Sequence, residues 1–373
     1  MAAALCIALA AVGIAAGTAW KAGGSSTIVF AGAADPTYLD PAFVSDGESF
    51  RVTKQIFEGL VELRPGTTKV QPALATSWKT SKDGRTWTFN LRRGVRFHDG
   101  TRFNGAAVCA NFNRWFNFTG ALQDASATYY YRQIFRGFKQ NQDATLTKSL
   151  YRSCRAVGQN RAIIRLNFRS GPFLPSLVLS AFSMQSPTAM RRYGADQAEL
   201  RAGTFYPTGT YAFQHPTGTG PFRFGSWTVG QRVVLNRNNG YWGKKPRIAR
   251  LILRPISSNT ARLQALQSGE VNGYDLVAPQ DIPTINRNNR LKVLNRPMFN
   301  VAYVTINSSK PPMNRLLVRQ AVAHGLDRAG VTRAFYAGRA VVAHEFMPPS
   351  VPGYAKDVKR YPFNPERSKA LLR

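Results

Sequence analysis

Residues 55–115 constrain this chain more than any other stretch. Within them Trp87, Phe89 and Leu91 alternate with Thr88 and Asn90. A period of two puts every second side chain on one face, so a half-buried strand is predicted here. Asp83-Gly84 precedes the alternation and His98-Asp99-Gly100-Thr101 follows it. Both are turn chemistry, because Gly accepts positive φ and Asp bonds its own backbone. Asn104 then caps a predicted helix, whose apolar Val108, Phe112, Trp115 and Phe116 fall at i, i+4, i+7 and i+8. The whole span reads as helix end, turn, strand, hairpin, second turn and helix.

The chain has 373 residues, room for two or three domains, and its 44% hydrophobic content leaves enough to bury. Its charge is unusual: 50 Lys and Arg against 19 Asp and Glu give +31. Such a field favours anionic partners. The basic residues are dispersed, however, and the nearest to clusters are Arg92-Arg93, Arg191-Arg192 and Lys244-Lys245. A solvated basic surface is therefore the favoured reading. The rival is a surface protein that binds nucleic acid or another polyanion, which needs the charge on one face.

Residues 2–20 are apolar and Ala-rich, long enough for an export signal and barely long enough for a bilayer span. No Lys or Arg precedes them, so a start set too far downstream is expected. A cleaved signal peptide or an uncleaved membrane anchor over 1–26 both remain open. Leu5 before Cys6 argues against lipidation at that cysteine. Cys109 and Cys154 can form one disulfide in an exported protein, or stay as two buried thiols.

Signatures of catalysis and metal binding are missing. His98, His215, His324 and His344 are scattered, and His344-Glu345 is followed by Phe346, Met347 and Pro348 instead of a second histidine. There is no C-x-x-C, G-x-S-x-G or G-x-x-x-x-G-K-[ST]. The glycines in His215-Pro216-Thr217-Gly218-Thr219-Gly220-Pro221-Phe222 lead tightly into a strand, since Pro221 leaves no helix start to face a phosphate. The protein is expected to be no enzyme, to need no cofactor and to hold no metal.

Several short words, in fixed order, resemble the extracytoplasmic solute-binding proteins of dipeptide and oligopeptide ABC importers (solute-binding protein family 5). They are Phe57-Glu58-Gly59-Leu60, Pro72-Ala73-Leu74-Ala75 with Ser77-Trp78, Trp87-Thr88-Phe89 with Leu91-Arg92, and Phe97-His98-Asp99-Gly100-Thr101. Later words are Asn238 to Trp242 and Leu326-Asp327-Arg328. Order and spacing make the set specific where each word alone is weak.

The resemblance implies an α/β, two-lobed periplasmic-binding-protein-like fold. Lobe I would comprise 27–63 and 210–298, an inserted small α/β domain 64–209, and the start of lobe II 299–373. The family's chain continues further, so lobe II is expected to be incomplete and the product unstable. A helix over 48–60, a helix capped by Asn259 and ending at Gly269, and a crossing strand over 300–307 are expected. By motif position the ligand contacts would be Phe43, Asp46 and Ser49 on the first cleft loop and Tyr274 and Asp275 on the return loop. Asn300 and Tyr303 on the crossing strand and Phe346 complete the set. Asp46 or Asp275 would answer an ammonium group; Tyr303, alternating with Val301, also reads as core. The implied partners are a short peptide or similar solute and a membrane permease, with no nucleic acid, for a monomer outside the cytoplasm. Nickel, haem and oligosaccharide stay open as solutes, because a fold does not fix a ligand.

Overall fold

The computed structural model describes residues 26–296 and 299–373. The signal or anchor expected over 1–26, with Cys6, falls outside the described residues except for Ser26. No helix among the described residues is long and apolar enough to cross a membrane.

The strands in chain order begin with β1 (Thr27–Gly32), β2 (Val61–Leu63), β3 (Val70–Pro72), β4 (Ala75–Thr80) and β5 (Thr86–Leu91). Next come β6 (Tyr151–Ala156), β7 (Arg161–Leu166), β8 (Ala198–Arg201) and β9 (Thr204–Pro207). The last are β10 (Phe222–Thr228), β11 (Arg232–Arg237), β12 (Arg250–Pro255) and β13 (Gly273–Tyr274). Two sheets matter here. One is mixed, in the order β10-β11-β12-β1-β13, with β1 parallel to both neighbours. The other is antiparallel, β4-β5-β7-β6.

Both faces of the mixed sheet are covered, as parallel strands require. On one, Val52, Ile56 and Phe57 from the Gly47–Ile56 helix and its end pack on Val233, Leu235 and Leu253. On the other, Ala265 of the Asn259–Ser268 helix joins Val29, Ala31, Ile252 and Tyr274. The antiparallel sheet has one such face. Phe89, Leu91, Ala162, Ile164 and Leu166 meet Val108, Phe112 and Trp115 of the Gly105–Phe116 helix in the largest core. Phe112 stacks on Tyr151 and lies edge-on to Phe135. Asn104 caps that helix through the Ala107 N–H, as its position predicts. Cys109 on the helix is bonded to Cys154 on β6, with Cα atoms 5.1 Å apart.

Three expectations fail for physical reasons. The helix expected over 48–60 ends at Ile56, with Glu58 bridging the Met184 backbone. The Glu58 carboxylate accepts from Thr219, Tyr241 and Trp242 at 2.7–2.9 Å, and those bonds hold it in extended chain. Loop 217–220 lies directly on the helix end. A Cβ on Gly218 would sit 2.2 Å from the Ile56 carbonyl oxygen, so only glycine fits. Second, Ser258 caps the helix assigned to Asn259, its Oγ accepting from the Ala261 N–H at 3.3 Å; Gly269 does end it, at φ 77°. Third, 300–307 forms no strand. Among the described residues no strand pairs with it, and a ladder needs two backbones.

Candidate functional site

Strands β12, β1 and β13 run side by side, with Ala31 level with Arg254 and Tyr274. Their carboxyl ends are where open α/β sheets bind ligands. A shallow crevice there is lined by Gly32, Asp35, Glu48, Arg51, Arg254 and Pro255. The Gly47–Ile56 helix faces this end and supplies the Glu48 and Arg51 side chains.

Arg51 is the hub. Its Nε and Nη2 donate to the two Glu48 oxygens at 3.1 and 3.2 Å, and both Nη atoms donate to Asp275 Oδ2 at 3.3 Å. Arg296 reaches the other Asp275 oxygen at 2.6 Å. Burial pushes the Asp275 carboxyl up, but the Leu276 N–H and the Arg296 and Arg51 guanidinium groups outweigh it and hold it below the usual carboxylate range. Leu276 adopts φ 60°, and its side chain is exposed. A branched residue held in the left-handed region is strained, and such strain gathers at ligand sites.

The other expected contacts divide. Asp46 is the helix N-cap, accepting from the Ser49 N–H at 2.8 Å and from Thr37 Oγ1 at 3.3 Å. Ser49 is buried and accepts from the Thr37 N–H. Their polar atoms tie loop 35–40 to the helix; Ser49 is closed off from solvent, while Asp46 is half-exposed. Phe43 is a correction of a stronger kind: it is buried against Phe118 and Phe205, with the Arg114 guanidinium over its ring. Tyr274 is buried too, its hydroxyl without a partner. Tyr303, by contrast, is 63% exposed and is not core. It packs its ring 5.2 Å from that of Phe346, itself 70% exposed, while Asn300 stands in solvent nearby in sequence.

The structure thus joins Asp46 with Ser49, and Tyr303 with Phe346, and attaches Asp275 to the same helix that Asp46 caps. Sequence reasoning missed Glu48, Arg51, Leu276 and Arg296. The first two carried a signal, an i, i+3 charge pair that begins within the expected cleft loop. No group of three or more His, Cys, Asp or Glu that could hold a metal occurs among the described residues.

Residues 69–373 match the family described as "Bacterial extracellular solute-binding proteins, family 5 Middle". The chain is 29% identical over 356 residues to the dipeptide-binding protein of Escherichia coli, covering 94% of this chain and 63% of that protein. It is also 29% identical over 355 residues to heme-binding protein A of Haemophilus influenzae, covering 94% of this chain and 62% of that protein. Among solved structures, the periplasmic binding protein DppA of Helicobacter pylori, in complex with the peptide STSA, superposes with a TM-score of 0.71. It is 27% identical, and the match covers 93% of this chain and 65% of that one. The chain therefore spans under two thirds of the length of these proteins. The α/β solute-binding fold expected from the sequence is the fold that they share.

Proposed function

We propose that this chain, which belongs to the bacterial extracellular solute-binding proteins of family 5, captures a short peptide outside the cytoplasm and passes it to the permease of an ABC importer. In this reading it binds and does no chemistry. Residues 27–63 and 210–298 form lobe I, 64–209 the inserted domain, and 299–373 belong to lobe II. Closure of the lobes on the solute would favour the bound state by the free energy of the contacts it adds.

The single observation that carries a peptide ligand is the Glu48–Arg51–Asp275–Arg296 set at the strand ends. Both signs of charge stand within one hydrogen-bonded group. A free peptide carries both signs as well. The Arg296 side chain is 72% exposed, so withdrawing it from Asp275 costs little. Asp275 Oδ1 is then open to a ligand ammonium, while Arg51, shared between two carboxylates, can turn to a ligand carboxylate. Leu276, Tyr303 and Phe346 offer apolar surface for varied side chains. Equal identity to a dipeptide binder and a heme binder gives resemblance no vote between those solutes; the paired charges favour the zwitterion.

The test is thermal unfolding with di- to pentapeptides, the same peptides acetylated and amidated, hemin and Ni²⁺. A ligand bound only to the folded protein raises the midpoint by mass action. Free peptides should raise it, blocked ones should not, and Asp275→Asn should weaken the apparent affinity about tenfold or more, as losing a charge-assisted bond does. Equal shifts with blocked peptides, or a shift with hemin alone, would sink this reading.

A further inference from the structure

The antiparallel sheet has an outer face that the solute reading does not use. From Ala144 to Ala195 the chain contains no Asp or Glu. The strands β4, β5, β6 and β7 contain none either. Register fixes what the outer face displays. Lys79 lies opposite Thr88, Thr88 opposite Ile163, and Ile163 opposite Arg155. One row over, Asn90 faces Arg161; on the other side, Thr86 faces Arg165. Lys79, Arg155, Arg161 and Arg165 are exposed. None of the ten ion pairs among the described residues uses any of them. At the sheet end, Asn90, Arg93, Gln159 and Arg161 line a polar depression.

We propose that this face docks the protein on an anionic lipid surface, with phosphate headgroups against Lys79, Arg155, Arg161 and Arg165. Three observations choose the bilayer over other polyanions. The basic groups spread over a sheet face, which suits a plane, and do not line a groove that tracks a strand. The outer face carries Ser, Thr, Asn and Ile between the charges, and no aromatic ring on which a base could stack. The sheet is also held in place from behind by the Cys109–Cys154 bond to the Gly105–Phe116 helix, so the charges keep their spacing. Attraction of this kind gains roughly fivefold in binding per basic residue near the surface and fades within a Debye length of about 8 Å at physiological salt. It would gather the binder at the membrane whatever the solute is, which separates it from the solute reading.

The test is flotation of the full chain with vesicles of phosphatidylcholine alone or with 30% phosphatidylglycerol, at low, physiological and high salt. The apolar residues 2–20 would act on both lipids and cancel in the comparison. Wild type should bind the anionic vesicles at least about tenfold better at physiological salt, and lose that gain at high salt. Arg155→Gln, Arg161→Gln and Arg165→Gln together should remove most of the gain. The triple control Arg247→Gln, Arg287→Gln and Arg290→Gln, equal in charge, should keep it. Unchanged melting midpoints would show that both variants fold; if the sheet variant melts early, Lys79→Gln with Arg155→Gln replaces it. Equal loss in both variants, equal binding to both lipids, or displacement by a single-stranded 20-mer DNA at matched phosphate would overturn the proposal.

Discussion

Two parts of this molecule use apolar residues in opposite ways. Up to Ile285 the large side chains close into connected cores, with Trp115, Phe112, Phe135 and Phe182 each under 2% exposed. Beyond residue 299, Ala321 is the one buried apolar residue among those described, and Phe335 and Phe346 stand 70% exposed. Yet both parts form helices. In the second, two of them start on side-chain caps: Asp327 accepts from the Gly330 N–H and Asn364 from the Arg367 N–H, each at 2.8 Å, with Pro365 at the first helical position, while the Leu316–Gly325 helix has no side-chain cap. Ser368 then bonds the Ala321 carbonyl and links the Leu316–Gly325 and Pro365–Leu372 helices. Helices can thus be specified by local chemistry, whereas among the described residues sheets occur only where a core lies behind them.

The contrast can be broken most sharply at Asp40. Its carboxylate is fully buried and accepts from Arg114 at 2.7 Å, in a site walled by Phe43 and Phe118. Asp40→Ala would leave the buried guanidinium with only Asp196, itself exposed, as a charge partner and the Ala195 carbonyl as an acceptor, and should cost about 3–5 kcal/mol in urea unfolding. A loss under about 1 kcal/mol would mean that apolar packing alone carries the first part. Next is the disulfide, which spans 45 residues. Replacing Cys109 and Cys154 with Ser should cost about 4 kcal/mol by loop closure, and reductant should add nothing to that loss.

Acid supplies a third probe. His98 Nε2 donates to the Gly220 carbonyl at 3.0 Å, and its buried Nδ1 has no partner. Burial lowers its pKa to about 4, against the opposing pull of the Gly220 carbonyl. The unfolded chain binds this proton near pH 6.5 and the folded one does not. Stability from His98 is therefore complete above about pH 6.5 and falls as pH drops towards 4, by about 3 kcal/mol in all. His98→Gln should flatten the melting-midpoint profile in that window; an unaltered profile would assign the acid loss to other groups. Smallest of all is the expected effect of Phe335→Ser, within about 0.5 kcal/mol, because the ring buries little. A loss beyond 2 kcal/mol would reveal a contact that closes this surface.

Legibility followed the same division. Trp87, Phe89 and Leu91 announced a strand, Asn104 a cap and Gly269 a helix end, because each signal lies within a few residues of what it controls. The family words likewise placed the fold. Residues whose fate depends on distant partners were misread. Glu58 is held by Thr219, Tyr241 and Trp242, so the helix before it stops early. Phe43 entered the core because Phe118 and Phe205 converge on it. Arg51 became the hub of the site through Asp275, far along the chain. The alternation at Val301 and Tyr303 looked like a strand, but alternation cannot tell whether a partner strand exists.

The bond between Cys109 and Cys154 also changes what a cut in the chain means. Lys139 and Lys148 are exposed within the segment it closes. A trypsin nick after either would divide the polypeptide in sequence but not in mass. The halves would run as one band on a non-reducing gel and as two in reductant. For residues 109–154, connectivity is circular, and the order of amino acids along the chain no longer decides which parts travel together.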